Sequence, residues 1–280
     1  MSLGPAHPVS THPVLAALLS RPCAAVMGIL NVTPDSFSDG GQFISPDAAQ
    51  AQALRMVADG ADIIDIGAES TRPYGAQPIT AEQEWQRLSP VLAGIVALGT
   101  AVSIDSMKAA VVARALGAGV SIANDVWGLQ RDPEMARVIA DYDAPVIVMH
   151  NRETIDATID IVEDIKSFFD RSLAIAARAG VAARNLVLDP GIGFGKTPEQ
   201  SMAALARLTE LHGFGLPILV GASRKKFIST VVASEPPRRL GGSIAAHLLA
   251  AQRGAGIIRA HDVLETVQAL RVMAAIEDNK

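Results

Sequence analysis

The sequence predicts an α/β fold, a single (β/α)8 TIM barrel, and three observations carry that expectation. Its 280 residues suit one such barrel, which typically takes ~250 residues, better than two small domains. Eight short β-branched or apolar runs alternate with longer segments of helical period, the sequence form of strand–helix units around a parallel sheet. The runs are continuously apolar rather than alternating, as strands covered on both faces must be.

In chain order the strands are expected at 26–30, 63–66, 102–104, 121–123, 146–149, 186–188, 218–220 and 257–259. Between them lie helical segments near 46–59, 81–98, 108–117, 133–141, 160–179, 198–212, 241–253 and 263–276. Gly60, Gly99, Gly180, Gly213 and Gly254 follow these segments and suit a left-handed cap. Residues 1–23, with Pro5, Pro8 and Pro13, read as a loosely ordered N-terminal leader, and 24–280 as the barrel. The stretch 229–240, with Pro236-Pro237, reads as an irregular insertion. Eight units favour a closed barrel over an open doubly wound sheet.

Hydrophobic residues make up 49% of the chain and charged residues 19%, enough for a large core and against global disorder. The net charge of −5 argues against nucleic acid as the main partner, since a phosphate backbone needs a basic face. No run approaches the ~18 apolar residues of a membrane span, and the first 23 residues lack the basic start of a secretory signal. The lone Cys23 excludes an intramolecular disulfide framework, no Cys/His cluster suggests structural zinc, and a cytoplasmic protein is expected.

In such a barrel the chemistry sits at the C-terminal ends of the strands, and here nearly every strand runs out into polar residues. Asn31 follows the first and Glu69-Ser70-Thr71-Arg72 the second; Asp105, Asn124-Asp125, His150 and Asp189 follow the next four. Ser223-Arg224-Lys225-Lys226 follows the seventh and Arg259-Ala260-His261-Asp262 closes the eighth. A lone Asp after a strand is usually a turn former or helix cap, but eight ends converge on one pocket. Asp105, Asn124 and Asp189 supply mostly acceptors, suited to a flat heterocycle with several N–H groups. Arg72, Arg259 and His261 suit a phosphate or pyrophosphate at the rim.

Two look-alike motifs fall away. Gly191-Ile192-Gly193-Phe194-Gly195-Lys196-Thr197 resembles a nucleotide P-loop, but Pro190 stands where that pattern needs its first glycine. Ser223 and His261 could be drawn as nucleophile and base, yet no nucleophile elbow surrounds the serine.

Read together, the strand ends resemble those of dihydropteroate synthases from residue 24 to 276. The matching segments are NVTPDSFSDGG at 31–41, GADIIDIGAESTRP at 60–73, SIDS at 103–106 and ND at 124–125, followed by DPGIGFGKT at 189–197, SRK at 223–225 and RAHDV at 259–263. The resemblance implies a transferase of folate biosynthesis, a sulfonamide target, that condenses 6-hydroxymethyl-7,8-dihydropterin pyrophosphate with 4-aminobenzoate and releases pyrophosphate. It puts Asp105, Asn124, Asp189, Lys225 and Arg259 around the pterin, with Asp105, Lys225, Arg259 and His261 carrying the catalysis. Thr71, Arg72, Ala260 and His261 match the pyrophosphate side, and Asn31 the ligand of a Mg²⁺ cofactor. Phe37, Pro73, Phe194 and Ser223 match positions enclosing the aminobenzoate, where Lys226 replaces a common serine. The resemblance also implies a homodimer. The loops 31–41 and 71–76 would close over the reactants to exclude water.

The mechanism that the resemblance implies is electrostatic: C–O cleavage runs ahead of attack by the weak aniline nucleophile, and Asp105 faces the developing cation. Asp35 and Asp39 read equally well as turn formers, Arg224 as an ion-pair partner, Asp65 as a buried hydrogen-bonded strand residue, and Trp85 and Trp127 as packing. The chain departs from the family pattern at His150–Glu153, at an extra Tyr74, and at Lys226. Two alternatives share the pattern in part: a pterin-dependent methyltransferase, which would not need the SRK and RAHDV segments, and a non-catalytic pterin-binding paralogue. A paralogue would be expected to lose one of Asn31, Lys225, Arg259 or His261.

Overall fold

The computed structural model describes residues 11–33, 45–69 and 78–279. Eight parallel strands close into a barrel in sequence order: β1 (Ala25–Asn31), β2 (Ile63–Gly67), β3 (Ala101–Asp105), β4 (Ile122–Asp125), β5 (Val146–Met149), β6 (Leu186–Asp189), β7 (Ile218–Val220) and β8 (Ala255–Ala260), with β8 pairing back onto β1. Outside it run α1 (Pro13–Leu19), α2 (Pro46–Ala58), α3 (Ala81–Val96), α4 (Ala109–Gly117), α5 (Met135–Asp141), α6 (Ile161–Ala179), α7 (Pro198–Ala206), α8 (Lys226–Val231), α9 (Leu240–Gln252) and α10 (Val263–Glu277).

The strands sort their side chains by period two. Val26, Ile64, Val102, Val146, Leu186, Ile218 and Ile258 point outward into the core under the helices. Met27, Ile63, Ile122, Ile147, Val187, Leu219 and Ile257 form a separate inner cluster. Two residues further along the same inward face stand Asn124, Met149, Asp189, Gly221 and Arg259, so one step along the pleat turns an apolar floor into a polar layer. The register keeps that layer level: Asn31 pairs with Gly67, Gly67 with Asp105, Asp105 with Asn124, and Met149 with Asp189.

Helix ends follow local chemistry. Thr80/Gln83 and Thr197/Gln200 form capping boxes on α3 and α7, and Asp160 caps α6. Gly180, at φ +84°, ends α6 in the left-handed conformation.

Four expectations need correction. Most strands run one or two residues further than their apolar letters suggest, because the ladder continues through polar residues that face the cavity. Residues 13–23 are not loosely ordered: α1 inserts Leu15, fully buried, and Leu18 against the inner cluster. The helix expected over 198–212 ends at Ala206, and a 3-10 segment Leu208–Phe214 follows, so Gly215, not Gly213, takes the left-handed turn. Residues 229–240 are not wholly irregular, since they include the end of α8 and a 3-10 turn at Pro236–Arg238.

Candidate active site

The polar layer is a network centred on Arg259. Its Nε donates to Asp65 Oδ2 at 2.6 Å and its Nη2 to Asp105 Oδ2 at 2.8 Å, while Asn124 Nδ2 also donates to Asp65 Oδ2 at 3.2 Å. Asp65 therefore belongs to the site and fixes both the guanidinium and the amide. The second oxygens, Asp65 Oδ1 and Asp105 Oδ1, are buried without a hydrogen-bond partner, as is Ser103 Oγ beside them. Orphaned acceptors in a cavity await donors.

Burial pushes the Asp105 carboxyl up to about 7 against the pull of Arg259, and pushes Asp189 up to about 6 against the Gly191 N–H and the cations Lys225 and Arg259. The same burial, helped by Arg259, brings Lys225 down to about 8. Asp189 Oδ1 accepts from Gly191 N at 2.7 Å, which orients the carboxylate and leaves lone pairs on both oxygens. Gly191 is obligatory: at φ +63°, a Cβ there would lie 1.9 Å from the His150 carbonyl oxygen.

After β7 the chain makes a bend that few residues tolerate, with Arg224 at φ +57°. Four interactions hold it: Arg224 N donates to Ser243 Oγ at 2.9 Å, Arg239 Nη1 donates to the Arg224 carbonyl at 2.9 Å, and the Arg224 guanidinium makes two bonds to Asp262. Arg224 is thus an ion-pair partner, as expected. The bend turns its neighbours inward. Lys225 Nζ sits 4.0 Å from the centre of the Phe194 ring. Ser223 Oγ accepts from His261 N at 3.2 Å and lies 2.9 Å from His261 Nδ1. The hydroxyl keeps a proton and a second lone pair, so it can pair with Nδ1 in either tautomer of the imidazole. The imidazole is held well below the ordinary histidine range by the protein packed around it and then by Arg259, Arg224 and Lys225, although the residue keeps an exposed face at the rim. The serine–histidine pair is real, but no carboxylate backs it as a nucleophile's base would need, since the nearby Asp262 is taken by Arg224.

Ala260 is fully buried beside Arg259, and Asn31 is half-buried at the end of β1. The Lys226 side chain is exposed at the start of α8, outside the buried convergence. Thr71, Arg72, Phe37 and Pro73 lie outside the described residues, as do Asp35, Asp39 and Tyr74. Trp85 packs against the outer core.

Asp65 is the buried, hydrogen-bonded strand residue expected, but its tie to Arg259 and Asn124 escaped sequence reasoning, as did two clusters. Lys108, beyond β3, bridges Glu69 after β2 and the fully buried Glu84 of α3, the latter at 2.7 Å. Below the 189–197 loop, Lys196 meets His150 and backbone carbonyls. Counting back by two from Gly67 would have found Asp65; the lysines have partners far away in sequence.

A closed barrel with carboxylates and cations converging at its strand ends has the layout of an enzyme site. The chain matches the pterin binding enzyme family over residues 27–261. It is 44% identical over 266 residues to the dihydropteroate synthase of Bacillus subtilis (strain 168), covering 95% of this chain and 93% of that one. The dihydropteroate synthase from Clostridium difficile, solved in the presence of pteroic acid, superposes with a TM-score of 0.87 at 47% identity, over 91% of this chain and 97% of that one. The Xanthomonas albilineans dihydropteroate synthase with 4-aminobenzoic acid gives a TM-score of 0.87 at 44% identity, over 92% and 94%. The chain belongs to the dihydropteroate synthase family.

Proposed function

We propose that the protein joins 6-hydroxymethyl-7,8-dihydropterin pyrophosphate to 4-aminobenzoate, forming 7,8-dihydropteroate and releasing pyrophosphate. One observation carries this reading: Asp105, Asn124, Asp189 and Lys225 converge with Arg259 and His261 at one end of the barrel, with buried acceptors left unpaired.

Asp189 accepts the pterin's amino and ring N–H groups, Asn124 and Lys225 complete its polar edge, and Arg259 lies across the ring. The reaction breaks the bond between the pterin methylene and the pyrophosphate oxygen and forms one from that methylene to the aniline nitrogen, which loses a proton to solvent. Charge builds in opposite senses at the two ends, so electrostatics dominates. At the pterin, Asp105 offers negative charge to the developing cation, which lowers its pKa and favours the ionised form. At the rim, the His261 side chain and the Arg259 guanidinium receive the departing pyrophosphate. Phe194, Ser223, Phe37 and Pro73 enclose the aminobenzoate, and Thr71, Arg72 and Ala260 belong to the pyrophosphate side.

The donor set at the first strand suits Mg²⁺ that arrives with the substrate. Asn31 offers one amide oxygen, and Mg²⁺ ordinarily keeps several waters and takes other ligands from substrate phosphates. Among the described residues there is no group of three His, Cys, Asp or Glu to hold an ion on its own. Bound there, Mg²⁺ would supply positive charge to the leaving group.

Among the described residues no helix is long and apolar enough to cross a membrane. The same reading makes the protein a cytoplasmic homodimer, and for the dimer alone there is support in Leu264, Val272 and Ile276, exposed along α10. The deciding experiment incubates purified protein with pterin pyrophosphate, aminobenzoate and Mg²⁺. Dihydropteroate is expected, with loss of product on chelation; a folded, pterin-binding sample that forms none would favour the non-catalytic paralogue.

A further inference from the structure

The glycine-rich segment that resembles a P-loop has a lysine with no phosphate to serve. Lys196 is buried, and its ammonium points back under its own loop. Its Nζ lies 2.6 Å from His150 Nδ1, 2.9 Å from the Gly191 carbonyl and 3.1 Å from the Phe194 carbonyl. Burial pulls Lys196 down to about 7, and in its ammonium form the three N–H donors are saturated by these three acceptors. His150 then carries its proton on Nε2 and donates it to Asp164 Oδ2 at 3.0 Å, so the chain of contacts runs from α6 through the end of β5 to the loop. Thr197 is committed to its capping box, which removes the other phosphate-binding side chain of the motif.

Lys196 thereby grips the loop at two points. Gly191 is already fixed by its own N–H to Asp189 and by the backbone of His150 against it. Phe194 has less support, a single backbone bond from its N–H to the Gly191 carbonyl at 3.0 Å. Its ring nevertheless stands against the Lys225 ammonium at the edge of the cavity. We propose that Lys196 is a positioning residue for the aminobenzoate half of the site, acting through the Phe194 carbonyl to hold that ring in place. This rests on the reading of the site as a synthase. It differs from a merely structural role in its consequence: loss of the lysine should fall on aminobenzoate and spare the pterin, because Asp189 is held in β6 by strand pairing and by Gly191.

The test is a double-mutant cycle with Lys196→Met and Phe194→Leu in the full-length protein, with turnover read by substrate and pterin affinity by calorimetry. Lys196→Met should raise the KM for aminobenzoate by about tenfold, the effect of one lost buried hydrogen bond, with the pterin Kd within about twofold of wild type. In the Phe194→Leu background the same substitution should have little further effect, since the ring it positions is gone. Lys196→Gln, which keeps two donors, should fall between and serves the same cycle if the methionine variant does not fold. An unchanged KM, an equal loss of pterin affinity, or full additivity with Phe194→Leu would each overturn the proposal. Wild-type protein that binds pterin but makes no dihydropteroate would overturn the synthase reading and the proposal with it.

Discussion

On the proposed function Asp189 accepts from the pterin, and burial pushes its carboxyl up to about 6, so protonation and recognition would compete within an accessible pH range. The ionised form accepts two N–H groups, whereas the protonated form presents a donor where the ligand also donates. Affinity for a neutral pterin analogue should weaken by about tenfold per pH unit below about 6 through Asp189, a step distinct from those of Asp105 and Lys225, which titrate higher at about 7 and about 8. Asp189→Asn should bind about tenfold or more weakly, the effect of a buried hydrogen bond lost, and show no such pH profile. Calorimetric titration from pH 5 to 8 checks both, and a sloped profile in the Asn variant would assign the titration elsewhere. Lys226 gives the contrasting expectation. Its side chain is exposed at the head of a short helix, so Lys226→Met should leave the aminobenzoate KM within about twofold of wild type, as surface substitutions usually do. The serine it replaces in the family pattern made it conspicuous in the sequence, but replacing a familiar residue says nothing about where the new side chain points. For Asp105, Asn124, Asp189, Arg259 and His261 the position at or next to a strand end did convey direction, because a residue that ends a barrel strand inward has one cavity to enter, whereas Lys225 owes its direction to the bend at Arg224.

At the scale of elements, the site is supported by ties between neighbouring strand–helix units. Lys108 holds Glu69, Glu84 and the start of α4 together, bonding Glu84 through Oε2, while Glu84 Oε1 is buried without a hydrogen-bond partner. Replacing Lys108 by Met leaves a fully buried carboxylate without its counter-charge, which typically destabilises by about 3–5 kcal/mol. Denaturant unfolding should show that loss as a lower midpoint with an unchanged slope. Glu84→Gln in the Lys108→Met background should recover part of it; no recovery would mean that the lysine acts by packing. None of these ties was legible, since Lys108 lies 39 residues from Glu69 and 24 from Glu84. Periodicity reports which face of an element is buried, not which polar group on another element it meets. The 3-10 segment after α7 was missed for a related reason: Leu208 and Leu211 keep the apolar spacing of a helix and are buried, although the backbone has tightened to a different turn.

The whole molecule separates chemistry from stability along the barrel axis. The polar layer occupies the end where the strands finish, while the opposite end is closed by Leu15 and Leu18 against Met27, Ile63, Ile122, Ile147, Val187, Leu219 and Ile257. The barrel itself was legible because eight apolar runs alternate with helical segments. Its floor was not, because α1 has only seven residues and the prolines around it read as loose chain. Pro13 is in fact at the first helical turn, where a missing N–H costs nothing. Leu15→Ala should therefore cost about 2–5 kcal/mol, the range for emptying a core leucine site. The site lies at the other end of the barrel, so at temperatures where the variant stays folded its pterin affinity and aminobenzoate KM should match wild type within about twofold, as for sites that do not share partners. A loss of pterin affinity equal to the loss of stability would show instead that the apolar floor sets the depth of the polar layer, and that the two ends of the barrel are mechanically one.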